Sequence, residues 1–307
     1  MKYKARALER DTELSLEREG VRIGGRFIDF ADLERLTPLN HRVLLDLAGG
    51  ERIEISMLGF SFDGFWEELT DLYAKRSLEA LFVEGAPVMS CEGDYQTPAE
   101  QGRGRVLLFS DSVCILPPSC AAVRIPLCFT KELRLDGYSL ILATADGGRF
   151  RVGRMGYDTQ PFAERAQKAA DRVKKERAAQ LSGLAVQAPF THKGLFRTEQ
   201  TGLSWQAGLT EGGCAVELFT GDDAATYLYR FSEPRQTFLT QLETAMEAMG
   251  PHREIIWQPD EKIAEKPLWR MAVRRSPAVR FLRARSAGRL IHNASHTERL
   301  AEFLQSK

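Results

Sequence analysis

The chain has 307 residues with 42 basic and 42 acidic side chains, so no overall charge draws it towards nucleic acid or another polyanion. Hydrophobic residues make up 43% and charged residues 27%, a globular balance that excludes a disordered or fibrous chain. No apolar run approaches the roughly 20 residues that span a bilayer, and the charged start contains no apolar signal segment. The expectation is a cytoplasmic protein without a transmembrane segment.

At about 100–200 residues per domain the length suggests two or three domains, and the first clue to them is a recurring block. Residues Gly20-Val21-Arg22-Ile23, Gly24-Gly25 and Arg26-Phe27-Ile28 read as strand, turn, strand. Val43 to Leu47 leads to Gly49-Gly50, and Arg52-Ile53-Glu54-Ile55-Ser56 then alternates polar and apolar as a half-buried strand does. Met57-Leu58-Gly59 closes that strand, Asp63 reads as a helix N-cap, and Phe65, Leu69, Leu72 and Tyr73 follow at helical spacing.

The block returns further along. Strands are predicted at Arg105–Phe109 and Ser112–Leu116, then at Tyr138–Leu142 and Arg149–Val152 around Asp146-Gly147-Gly148. Met155-Gly156 and Phe162 repeat Leu58-Gly59 and Phe65 at an offset of 97 residues, and Ala166, Ala169 and Val173 continue the inner helix face. A third version has Val216–Phe219, a turn at Gly221-Asp222-Asp223, Tyr227–Phe231, and a helix with Phe238, Leu242, Met246 and Met249 ended by Gly250-Pro251. An abbreviated fourth reads as a strand at Arg280–Leu282, a turn at Ser286-Ala287-Gly288, a strand at Leu290–His292 and a helix with Leu300, Phe303 and Leu304. The turn-to-Phe distances Gly50–Phe65, Gly148–Phe162, Asp223–Phe238 and Gly288–Phe303 are 15, 14, 15 and 15 residues.

This order of strands, Gly-Gly hairpin, strand, Leu-Gly and Phe-bearing helix resembles the pleckstrin-homology-like (PH-like) superfold. The resemblance is carried by residues 20–73 and 105–173 and implies an α+β, mostly β chain of tandem units. Each would be a bent antiparallel sheet or small barrel with one C-terminal helix. The implied division is 1–85, 86–182, a degenerate unit at 183–250, and 251–307 as an abbreviated basic unit or an extension of the third. Such domains bind lipid headgroups, peptides or neighbouring domains without catalysis, and fold alone does not choose among these.

Candidate chemistry is sparse. The five cysteines, Cys91, Cys114, Cys120, Cys128 and Cys214, lack the paired spacing of a disulfide framework or a zinc site. His41, His192, His252, His292 and His296 form no metal-binding motif, and no nucleophile elbow or phosphate loop occurs. No catalytic residue, metal or cofactor is therefore assigned, and the chain is expected not to be an enzyme.

Two basic clusters are the candidate binding residues. Arg149, Arg151 and Arg154 flank the second Gly-Gly hairpin, while Arg280, Arg283, Arg285 and Arg289 lie near the C-terminus with Arg274 and Arg275. Either they hold an anionic partner, or they pair with acidic neighbours. Net charge alternates along the chain, at −5 for residues 1–85, +3 for 86–180, −4 for 181–250 and +6 for 251–307, which favours internal pairing. The expected function is a non-catalytic scaffold binding protein. The alternatives are an anionic membrane surface held by the arginines and an enzyme with an inter-domain site. Nucleic acid is not an expected partner.

Overall fold

The computed structural model describes residues 2–182, 196–198, 204–209, 214–220, 225–250 and 252–291. The chain opens with strands β1 (Lys2–Ala7), β2 (Arg10–Glu17), β3 (Gly20–Ile23), β4 (Arg26–Asp29), β5 (Leu33–Leu39), β6 (Arg42–Leu47) and β7 (Arg52–Ser56), then helix α1 (Phe62–Ala80). Alternation of exposed and buried residues along β1, β6 and β7 turns one face of this sheet inward. The strands pair antiparallel in the order β4-β3-β2-β1-β7-β6-β5. Helix α1 supplies the missing half of the core. Phe65 is 0% exposed, with Leu69 and Tyr73 behind it, and its ring meets Tyr3 edge-on at 5.0 Å. The helix begins one residue before Asp63, which lies in its first turn and is not the N-cap.

A second set follows: β8 (Met89–Gln96), β9 (Gln101–Leu108), β10 (Ser112–Leu116), β11 (Val123–Pro126), β12 (Thr130–Asp136), β13 (Ser139–Thr144), β14 (Arg149–Gly153) and α2 (Thr159–Ser182). Its order, β11-β10-β9-β8-β14-β13-β12, repeats that of the first sheet. The register irregularity between Leu33 and Arg35 recurs between Thr130 and Glu132, 97 residues on. Phe162 is 0% exposed in the place of Phe65 and packs in the core of the second sheet. The fold is α+β and mostly sheet, in tandem units that each end in a helix, as the sequence implies.

The units differ where they meet. Two residues, Gly24-Gly25, join β3 to β4, whereas Pro117 to Ala122 join β10 to β11. This longer loop lies along β5, the open edge of the first sheet. The Leu36 N–H donates to the Pro118 carbonyl and the Cys120 N–H donates to the Glu34 carbonyl, each at 2.8 Å, forming an antiparallel bridge between Arg35 and Ser119. An edge that could template pairing with another chain is thus closed internally. Strand β10 is buried along its whole length. Val113 and Ile115 face their own core, while Cys114 and Leu116 pack with Ala74 and Leu81 at the end of α1.

The C-terminal third contains β15 (Phe196–Thr198), β16 (Ser204–Leu209), β17 (Cys214–Thr220), β18 (Ala225–Arg230), α3 (Arg235–Met249), four short helices and β19 (Ser286–Ile291). The helices are α4 (Glu254–Trp257), α5 (Asp260–Glu265), α6 (Pro267–Arg275) and α7 (Pro277–Arg285). Two expectations fail here. Arg280–Leu282 lies within α7, not in a strand, and Ser286-Ala287-Gly288 belongs to β19, not to a turn. The reason is local: the Ser276 hydroxyl accepts from the Val279 N–H, and Pro277 fills the first helical position, so a helix starts there. Strand β19 pairs antiparallel with β18 and completes the third sheet's edge. The turn read at Gly221-Asp222-Asp223 and the helix with Leu300, Phe303 and Leu304 lie outside the described residues.

Arginines join these parts. Arg275, 2% exposed, donates from Nη2 to the Phe30 and Leu33 carbonyls at 3.1 and 2.9 Å and to the Tyr73 hydroxyl at 2.9 Å. Arg124 donates from Nη1 to the Phe82 and Ala248 carbonyls, near the C-termini of α1 and α3, at 3.0 and 2.7 Å, and from Nη2 to Asp111 at 2.9 Å. Helix C-termini carry partial negative charge, which suits a cation there. Among the described residues no helix is long and apolar enough to cross a membrane.

Replacing either buried aromatic by alanine leaves a cavity where its helix meets the sheet. Phe65→Ala and Phe162→Ala should each cost about 3–5 kcal/mol in equilibrium urea unfolding. A loss below about 1 kcal/mol in either would remove the helix-capped-sheet account for that unit.

Candidate functional site

The C-terminal arginines are largely occupied by the chain itself. Arg280 donates to the Arg274 carbonyl at 2.5 Å, and Arg283 to the Ile255 and Gln258 carbonyls and Asp260 at 2.6, 2.9 and 2.6 Å. Arg285 pairs with Glu233 and lies over the Phe281 ring at 4.2 Å. Arg289 is exposed and sits 5.7 Å from the Tyr227 ring centroid. Their neighbours Arg270 and Arg274 cross to the acidic first unit, reaching Asp32 at 3.1 Å and Glu34 at 3.0 Å. The alternating charge along the sequence thus has a spatial counterpart, and this cluster mainly staples helices together.

The hairpin arginines are different. Strand alternation turns Arg149 and Arg151 to the outer face of the sheet while Val152 points inward. The Arg149 guanidinium is 4.0 Å from Glu132 and Arg154 is 3.1 Å from Asp94, and both side chains are exposed. Arg151 has no ion pair or side-chain hydrogen bond among the described residues. Arg151 and Arg154 share a cavity of about 520 Å³ with Tyr95, Gln101, Ser139 and the Asp94 carboxylate that pairs with Arg154. Cross-strand register brings in a residue the sequence reading missed: Arg134 lies opposite Ile141, which lies opposite Arg151. Only pairing of β12 with β13 reveals this, because 17 residues separate the two arginines in sequence. Arg134 itself is held by Glu132 at 2.5 Å and Asp136 at 3.6 Å.

A second feature emerges at the turns leading into α1 and α2. In the first unit Met57 and Gly59 have φ of 59° and 54°, and in the second Arg154 and Gly156 have 53° and 62°. The two left-handed residues fold the chain back so that Leu58 and Met155 are buried and the next aromatic is ejected. Phe60 and Tyr157, 97 residues apart, are 111% and 102% exposed. Other exposed large apolar side chains cluster at neighbouring turns: Leu8, Leu39 and Met57 in the first unit, Leu135 and Tyr138 in the second. The Arg154 N–H donates to the Tyr138 carbonyl at 3.3 Å, so the two turns of the second unit touch. Val88 is the one exposed large apolar residue away from these ends among the described residues.

Groups suited to covalent chemistry are dispersed. A cavity of about 300 Å³ between β11 and helices α3 and α7 is lined by Val123, Ile125, Phe150, Ala245 and Phe281, and its one carboxylate is Asp146. His252 stacks on Phe82 at 4.9 Å and His41 meets Phe62 edge-on at 5.4 Å. His192, His292 and His296 lie outside the described residues. Among those described, no three His, Cys, Asp or Glu side chains gather as metal ligands. Burial in β10 pushes the Cys114 thiol up to about 12, and burial also raises Cys91. No protein-family model and no curated protein sequence matches the chain.

The thiolate is the reactive form of cysteine, so Cys114 should resist iodoacetamide at pH 8 in the native protein and react once urea unfolds it. Mass spectrometry of the modified peptides reads this directly. An unfolded thiol ionises near ~8.5, below the folded value, so the folded state holds this proton more tightly. The stability it contributes is present below that pH and declines as pH rises towards 12. Native-state labelling of Cys114 at the rate of a free thiol would contradict its placement between α1 and the second core.

Proposed function

We propose that the chain is a non-catalytic binding or scaffold protein that acts through protein–protein contacts. Its PH-like units on this reading divide near residues 85 and 182, with 251–307 extending the third. In support of the fold-level part stand the two seven-stranded sheets of identical strand order, each closed by a helix with a buried Phe near its start.

The observation that carries the binding reading is the pair Phe60 and Tyr157. Exposing a large aromatic costs solvation free energy of up to about 1.5–3 kcal/mol relative to burial, and aromatics of this kind anchor protein interfaces. Both units spend a special backbone conformation on presenting one. The decisive comparison is affinity capture from cytosolic extract with the intact chain and with Phe60→Ala/Tyr157→Ala, quantified by mass spectrometry. The reading expects a discrete set of proteins retained by the first and depleted at least fivefold with the second. Identical capture by both would remove it.

A second reading, binding of anionic lipid or phosphate groups, draws support from Arg151, which has no ion pair among the described residues, beside Arg154 in their shared cavity. It predicts salt-sensitive flotation with phosphatidylserine vesicles that is lost in Arg149→Glu/Arg151→Glu. Absence of flotation at low salt would exclude it.

A further inference from the structure

The two sheets present the same edge, and among the described residues only one of the two is occupied. In the first unit β5 is paired on its outer side by Pro118–Cys120 through the Leu36 N–H and the Glu34 carbonyl. The Leu36 side chain packs in the first core. Ninety-seven residues on, β12 has the same register against β13 and the same irregularity. Among the described residues β12 pairs with β13 alone, and Leu133, the counterpart of Leu36, remains half-exposed.

Strand geometry states what that edge offers. Leu36 stands opposite Leu45 and directs its N–H away from β6, so Leu133, opposite Leu142, directs its N–H away from β13. Two residues further the alternation repeats, and here the units diverge again. The first has Pro38, which has no N–H, whereas the second has Leu135. The open edge is therefore one donor longer than the closed one.

We propose that β12 binds an extended, acidic segment of a partner protein as an added antiparallel strand. This deepens the binding-protein reading and rests on it. The occupant's conformation is argued from the chain's own loop, which sits on the equivalent edge in that form. Its charge is argued from the flanking side chains. Exposed Lys131 lies on β12 itself, exposed Arg149 and Arg151 stand on β14 behind β13 with the Arg149 guanidinium 4.0 Å from Glu132 of β12, and Glu132 and Asp136 are engaged by Arg134. Main-chain hydrogen bonds supply affinity in such strand addition, and side chains on the neighbouring strands supply selectivity.

The test is selection of a phage-displayed random dodecapeptide library on the full chain and on three variants. Leu135→Pro copies what the first unit already tolerates at Pro38 and removes one outward donor without touching the bonds to β13. Leu133→Pro removes the donor equivalent to that of Leu36, and Arg149→Glu/Arg151→Glu reverses the flanking charge. Circular dichroism and the thermal midpoint report folding, and Leu135→Pro serves should Leu133→Pro fail to fold. The expected result is enrichment of acidic peptides whose affinity falls at least tenfold in the folded proline variants and in the charge reversal. No enrichment, or enriched peptides that bind the folded proline variants undiminished, overturns the proposal. So does binding to phosphatidylserine vesicles with no peptide selected, which would assign the arginines to a lipid surface. Failure here leaves the Phe60 and Tyr157 capture result standing, and failure of that capture leaves this selection interpretable, so the two readings fall separately.

Discussion

A seven-stranded open sheet has two edges, and an unpaired edge is a standing invitation to add another strand. Two backbone hydrogen bonds, one accepted by the Pro118 carbonyl and one donated by the Cys120 N–H, answer that problem for the first sheet. They do so with a loop whose extra length, relative to the Gly24-Gly25 turn of the first unit, has that placement as its structural consequence. Because the loop belongs to the second unit, closing the edge also fixes the second unit against the first. The packing of β10 on the back of α1 follows from the same placement. It explains why Ser112–Leu116 is buried on both faces although it belongs to a sheet that needs only one buried face.

Charge does comparable work at the other junction. The zero net charge conceals an acidic first unit and a basic C-terminal region, and the structure brings them together through Arg270 with Asp32 and Arg274 with Glu34. These pairs are partly exposed, and pairs of that kind contribute only about 0–1 kcal/mol each. Arg275 matters more. Its burial carries a desolvation cost of several kcal/mol, offset in part by the two main-chain carbonyls and the Tyr73 hydroxyl that Nη2 reaches, while Nε and Nη1 have no hydrogen-bond partner among the described residues. Arg124 plays the matching role at the ends of α1 and α3. Arginine suits both places because one planar group reaches several acceptors at once.

Much of this architecture was legible in the residues themselves. The 97-residue offset linking Leu58-Gly59 and Phe65 to Met155-Gly156 and Phe162 identified the repeat, because a helix that caps a small sheet needs a large apolar side chain at one fixed distance from the last strand. What escaped were features set by partners distant in sequence. Arg134 joins Arg151 only through the pairing of β12 with β13, and nothing around Pro117-Pro118-Ser119 announces that it will lie on β5. At Arg280–Leu282 the sequence itself is ambiguous. Ser276-Pro277 is a helix start, and Ala278, Val279 and Leu282 follow with helical spacing, but apolar Phe281 among arginines also mimics a strand. Among the arginines first singled out, Arg149, Arg151 and Arg154 remain on the surface, whereas Arg280, Arg283 and Arg285 are engaged within the chain.

Two edges of the same design differ, one filled from within and one left open among the described residues. Amide hydrogen exchange of the unliganded chain, read residue by residue by NMR, measures that contrast at Leu36 and Leu133. Strong protection of the Leu36 amide with fast exchange at Leu133 is the predicted result. Equal protection at both positions would mean that the second edge is also covered and that the two units do not differ there.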